Sequence, residues 1–217
     1  EQIIVQKLQA SRISVGQDFC FGSNRSGTAT DLQVLLAKYG IPVTIVPLET
    51  HEDDLPIQED DTRISTSLIR QRLETGNIET ANLLLGRPYT LMGTVVKGQQ
   101  LGRTIGFPTA NFQLPEDKFL PQQGVYAVRV SEINQPDTTL MLQWGVMNIG
   151  DRPTVNGTNL TIEVHLLDWS GDLYDKKLQI QLEKFLRPQQ KFGTLEALKA
   201  QIQLDCNTAR KFFNQGC

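Results

Sequence analysis

From residue 91 onward the chain is cut into short apolar or alternating stretches at 91–97, 124–130, 140–149, 160–167 and 178–182, with Gly, Pro, Asn and Asp gathered between them. Such stretches are too short for ordinary helices and suit strands joined by tight turns, so the second half of the chain is predicted to be an antiparallel sandwich or barrel. Behind the last stretch, Leu195, Leu198, Ile202, Cys206, Ala209 and Phe213 recur at steps of three or four. That is the apolar stripe of an amphipathic helix starting near Thr194 and packing on the strands.

The first half has a different texture. A strand at 12–15, a Gly-containing loop, a helix at 30–39 and a strand at 42–46 suggest part of a parallel α/β sheet. Residues 51–61 are acidic, broken by Pro56 and without apolar periodicity, which reads as an exposed loop. Two helices follow, 66–75 from the N-cap Ser65 to Gly76, and 78–85 ending at Gly86. Pro88 then marks the expected boundary between a first domain, 1–88, and a second, 89–217. The opening Ile3-Ile4-Val5 reads like sequence from within a domain, which suggests a fragment.

Composition narrows the function. The 21 Lys and Arg are scattered among 24 Asp and Glu with a net charge of -3, which argues against a nucleic-acid partner. Cys20, Cys206 and Cys217 are widely spaced and odd in number, fitting reduced thiols in the cytoplasm better than disulfides or a structural metal. No stretch approaches the roughly 20 apolar residues of a membrane span, and the first residues lack a signal pattern.

The run with the most chemistry is Gly98-Gln-Gln-Leu-Gly102-Arg103-Thr104-Ile-Gly106-Phe107-Pro108-Thr109-Ala110-Asn111. Glycines let backbone N–H groups approach phosphate oxygens, and Arg103 adds a guanidinium. Thr109 and Asn111, two apart in an extended segment, point their oxygens to one side, where they suit Mg²⁺ on a nucleotide. Read alone, such a run is more often a turn than a ligand site. The Walker, dinucleotide and protein-kinase patterns are absent.

Together with Gly124-Val-Tyr126, Gly145-Val-Met-Asn148-Ile-Gly150-Asp-Arg152-Pro153-Thr154, Glu163-Val-His165-Leu-Leu-Asp168, Gly171-Asp-Leu-Tyr174 and Phe185-Leu-Arg187-Pro188, that run closely resembles the riboflavin kinase module of bacterial bifunctional FAD synthetases. The resemblance covers roughly residues 91–213. It implies a six-stranded barrel with a C-terminal helix that phosphorylates riboflavin to FMN using ATP. It further implies that Thr109 and Asn111 hold Mg-ATP, that Glu163 is the base, that Gly98, Gly102 and Arg103 belong to the nucleotide loop, and that Asn148, Gly150 and Arg152 form a flap near the flavin. Without it, Glu163 between Ile162 and Val164 reads as the solvated face of a half-buried strand, and a plain turn explains Gly150 and Pro153. His165 reads as structural.

In the first half, Gly16-Gln-Asp18-Phe19-Cys-Phe21-Gly22 resembles the flavin-side loop of the same family's FMN adenylyltransferase domain, and Ile64-Ser65-Thr66-Ser67-Leu68-Ile69-Arg70 resembles its phosphate signature. The resemblance implies that Thr66, Ser67 and Arg70 face ATP phosphates; hydroxyls at a helix start with an arginine one turn on are a credible anion site and equally an ordinary N-cap. That domain's H-x-G-H nucleotide loop has no counterpart here, since the only histidines are His51 and His165. The expected module is therefore a Rossmann-like nucleotidyltransferase remnant followed by a kinase barrel, making FMN and little or no FAD. Two alternatives are retained adenylyltransferase activity and a non-catalytic flavin-binding barrel.

Overall fold

The computed structural model describes residues 2–48, 64–98, 101–133, 142–154 and 157–215, and it divides into two units, Glu1–Ser65 and Thr66–Cys217. In the first unit a helical turn, Gln2–Lys7, precedes strand β1 (Ile13–Gly16), a small hairpin of β2 (Cys20–Phe21) and β3 (Gly27–Thr28), helix α1 (Ala29–Ala37) and strand β4 (Val43–Val46). Thr28 fixes where α1 begins: its Oγ1 accepts from Asp31 N–H while the Asp31 carboxylate accepts from Thr28 N–H at 2.9 Å, a reciprocal capping box. Strands β1 and β4 pair in parallel from Ile13↔Val43 to Gly16↔Val46, and Leu32, Leu36, Ile41 and Val43 form the core beneath. The expected strand, helix and strand are therefore all present. The acidic loop expected at 51–61 lies outside the described residues.

The second unit opens with helices α2 (Thr66–Glu74) and α3 (Ile78–Leu85), each ended by a glycine at positive φ, Gly76 and Gly86, where a side chain would be strained. Six strands follow: β5 (Tyr89–Val96), β6 (Ala110–Gln113), β7 (Gly124–Glu132), β8 (Gln143–Thr154), β9 (Gly157–Leu166) and β10 (Lys177–Pro188), with a short helix, α4 (Leu101–Thr104), before β6 and helix α5 (Leu195–Gln215) after β10. They close a barrel in the order β10-β5-β6-β9-β8-β7, β10 pairing antiparallel with both β5 and β7. Closure leaves no sheet edge.

Alternation along each strand sorts the side chains. Leu91, Val95, Tyr126, Val128, Met147, Ile149, Ile162, Val164, Leu178, Ile180 and Leu182 fill the interior. Outside, Val125, Ala127 and Val146 meet Cys206, Ala209 and Phe213 of α5, so the C-terminal part of the predicted stripe is buried. Its first member, Leu195, is 53% exposed, because α5 touches the barrel mainly beyond its first turns. Leu73, Ile78 and Ala81 of α2 and α3 belong to the barrel core. Among the described residues no helix is long and apolar enough to cross a membrane.

The structure departs from the sequence expectation in three places. Strand β6 is four residues long, too short to show alternation. Strand β10 runs on to Pro188 because register shifts between Leu182 and Lys184 and between Phe185 and Arg187 interrupt its period without ending its pairing. The residues read as a flap or turn, Asn148–Arg152, are the outer part of a β8–β9 hairpin, with Gly150 opposite Thr161 and Pro153 opposite Thr158.

Candidate active site

Across β6, β9 and β8, Asn111 lies directly opposite Glu163, and Glu163 directly opposite Asn148. Residues facing one another across paired strands project to the same side, with Cβ atoms about 5 Å apart. Since Ile162 and Val164 point inward, this row of amide, carboxylate and amide stands on the outer wall of the barrel, and all three residues are half-buried. Val125 continues the row on β7 and Arg187 on β10. Arg187 is bound to Asp205 of α5 by Nε–H donating at 2.9 Å and Nη2–H donating at 2.8 Å. The helix therefore limits one end of the row.

The glycine-rich run limits the other. A β-carbon on Gly98 would collide with the carboxamide of Asn111, and one on Gly102 would collide with the Phe107 carbonyl oxygen at 2.3 Å and come within 3.1 Å of Thr109 Oγ1, so Gly98 leaves room for the Asn111 side chain and Gly102 chiefly for the Phe107 backbone. Phe107 N–H donates to Gly102 C=O at 2.8 Å, and Gly106, at φ 89, makes the turn that returns the chain toward β6. His165 pins the same segment: its Nδ1 lies 2.8 Å from Pro108 C=O and its ring meets Phe107 edge-on at 5.5 Å. That contact gives His165 the structural task expected of it.

Beside this run a cavity of about 400 Å³ opens at the mouth of the barrel. Arg103, Thr109, Ala110 and Val164 line it on one side, and Trp169, Asp172 and Tyr174 on the other. The ammonium of Lys97 sits 5.8 Å from the centre of the Tyr174 ring, a second cation at the rim. Asp172 accepts from Tyr174 N–H at 2.9 Å, which shapes this loop. Just past β9, Asp168 pairs with Arg210 of α5 at 2.9 Å, and that hydrogen bond holds its carboxyl below the usual carboxylate range. The aromatic wall was not singled out from the sequence; only the Gly171–Tyr174 segment pointed to it.

The other sequence candidates lie in several places. Arg152 is opposite Asn159 on the hairpin, with its side chain outside the described part. Thr66 and Ser67 open α2 and are exposed, and the Arg70 guanidinium lies 5.7 Å over the Phe119 ring of the β6–β7 connection. Asp18 and Phe19 belong to the first unit, where Phe19 stacks near Phe21 at 6.2 Å. The structure thus gathers Gly98, Gly102, Arg103, Thr109, Asn111, Asn148 and Glu163 on one barrel, while the Asp18 and Arg70 groups fall in separate units.

Comparison with known proteins follows the same division. A family model for riboflavin kinase matches residues 85–213, and one for FAD synthetase matches residues 1–61. A bifunctional riboflavin kinase/FMN adenylyltransferase from Escherichia coli is 42% identical over 211 residues, covering 97% of this chain and 63% of that protein. The protein of that name from Haemophilus influenzae is 39% identical over 218 residues, covering 99% and 65%. The chain therefore spans a little under two thirds of the length of these relatives. A solved structure described as a macrolide-efflux protein from Streptococcus pneumoniae superposes with a TM-score of 0.75 at 30% identity, covering 97% of this chain and 64% of the other. With one model running from the end of α3 into the last turns of α5, over the barrel, the cavity and the Asn111–Glu163–Asn148 row together, this chain belongs to the riboflavin kinase family.

Proposed function

We propose that the barrel transfers the γ-phosphoryl group of ATP to the terminal ribityl hydroxyl of riboflavin, giving FMN. The observation that carries this reading is the placement of Glu163 between two amides on strands whose neighbouring residues, Thr109, Ala110 and Val164, line the cavity together with Arg103. Glu163 is the base: its carboxylate takes the hydroxyl proton as the oxygen attacks phosphorus. Asn148, opposite Glu163, orients the acceptor. The cavity takes the nucleotide, with its aromatic wall toward the base and Arg103 toward the phosphates. Thr109 and Asn111 supply neutral hard oxygens of the kind Mg²⁺ accepts, and Gly98 leaves Asn111 its space, so the residues present fit that ion. Bound there, it would offset charge on the phosphate oxygens. The cysteines Cys20 and Cys206, both free, support a cytoplasmic setting.

The FAD synthetase match over residues 1–61 favours a second activity, FMN adenylylation, for the protein from which this sequence comes. The 217 residues contain no H-x-G-H loop, so we assign this chain FMN formation with little or no FAD. The test is to incubate the chain with riboflavin, ATP and Mg²⁺, and in parallel with FMN and ATP, and to separate the flavins by chromatography. Wild type should accumulate FMN without FAD. Glu163→Gln should lose about 100-fold or more in kcat, the range of general base catalysis, at an unchanged melting temperature. Folded wild-type protein that binds flavin and forms no FMN would make the barrel a binding module instead.

A further inference from the structure

One rung along the outer wall from Asn148 and Glu163, Gly150 stands opposite Thr161. The side-chain amide of Gln189 lies flat against this glycine: a β-carbon on Gly150 would collide with Gln189 Nε2 and come within 2.8 Å of its Cδ. The same amide meets the next residue from both sides, its Oε1 accepting from Asp151 N–H and its Nε2–H donating to Asp151 C=O, each at 3.4 Å. Gln189 thus reads the β8 backbone as a neighbouring strand would, at a place where the strand has no side chain in the way. Thr161 donates to Gly150 C=O at 3.2 Å and Gln123 to the Asp151 carboxylate at 3.1 Å, so the segment is held from three directions.

Of these three ties, Gln189 is the one that reaches back to α5. It follows Arg187-Pro188, and Arg187 is fixed by its bidentate pair with the buried Asp205. Along β9 the outward residues are Thr161, Glu163 and His165; His165 anchors the nucleotide loop, and Thr161 stands where Gln189 anchors the hairpin. We infer that Gln189 is a positioning residue for the acceptor alcohol, holding the Asn148–Asp151 segment at the spacing from Glu163 that riboflavin requires. The inference rests on the kinase reading above.

A cycle of Gln189→Ala, Gly150→Ala and the double variant tests it. Gly150 has no positive φ, so alanine there displaces the end of a flexible side chain and leaves the backbone unstrained. Each single variant should raise the riboflavin KM about threefold to fivefold, the change that losing two long, exposed hydrogen bonds allows, with the ATP KM within about twofold and little change in melting temperature. The double variant should be no worse than the worse single one, because both break one contact. An unchanged riboflavin KM in Gln189→Ala, an equal rise in both KM values, or effects that multiply would overturn the inference while leaving the kinase reading intact. Failure of wild type to form FMN would remove the reading and the inference together.

Discussion

At the scale of single residues, burial decides how a group on this barrel titrates. Cys206 shows what burial does to a titrating group. It is 1% exposed on the barrel-facing side of α5, and its thiol is pushed up to about 11 by desolvation, against an ordinary value of 9.0. A folded-state value above the unfolded one means that the neutral thiol favours the native protein. That stability is fully present below pH 9 and is lost as the pH rises toward 11. Thermal melts between these limits should show wild type losing more stability than Cys206→Ala, which starts lower because of the cavity it creates and then follows a flatter curve. Equal slopes in the two proteins would place the alkaline sensitivity elsewhere, for example at Tyr126, whose hydroxyl burial also pushes up. By contrast Glu163 is half-buried, open enough for a substrate hydroxyl to reach it.

At the scale of elements, α5 is fastened to the barrel by an apolar contact, by the largely buried Arg187–Asp205 pair set in it, and by the more exposed Asp168–Arg210 pair. Asp205 is 5% exposed and accepts from Arg187 and from Gln201 Nε2–H at 2.9 Å. Asp205→Ala leaves the Arg187 guanidinium largely buried without its counter-charge and should cost about 3 kcal/mol, measurable by urea titration, with Asp205→Asn less severe. These elements also show what sequence can reveal. Strands β5, β7, β8 and β9 alternate long enough to be read directly, and Thr194, whose Oγ1 accepts from Ala197 N–H at 3.1 Å, marks the start of α5. β6 has too few residues to establish a period, and the bulges of β10 reset it. For the site, a carboxylate between Ile162 and Val164 follows the same pattern whether it is catalytic or merely solvated, so only the family resemblance singled out Glu163. Its alignment with Asn111 and Asn148 depends on strand register between residues far apart in the chain, and Gln189 acquires meaning only once Gly150 is beneath it.

At the scale of the whole molecule, α2 and α3 are built into the kinase unit. Leu73, Ile78 and Ala81 are at most 1% exposed within the barrel core, and Asn82 ties α3 to the barrel, donating to Leu182 C=O at 2.8 Å and accepting from Tyr89 N–H at 2.7 Å. A polypeptide of residues 66–217 should therefore fold and form FMN, whereas residues 89–217, cut at Pro88, should be less stable by several kcal/mol, at about 1.5–3 kcal/mol for each large side chain left uncovered. Circular dichroism melts of the two polypeptides decide this, and equal stability would support Pro88 as the boundary. The pairing of β10 with both β5 and β7 has a consequence for biosynthesis. β10, which completes the barrel, is the last of its six strands to be synthesised, so until residue 188 emerges the nascent protein carries two unpaired strand edges and an uncovered interior. Chaperone demand should therefore fall on the interval before β10 emerges, and translation pauses there should raise aggregation more than pauses within the first unit.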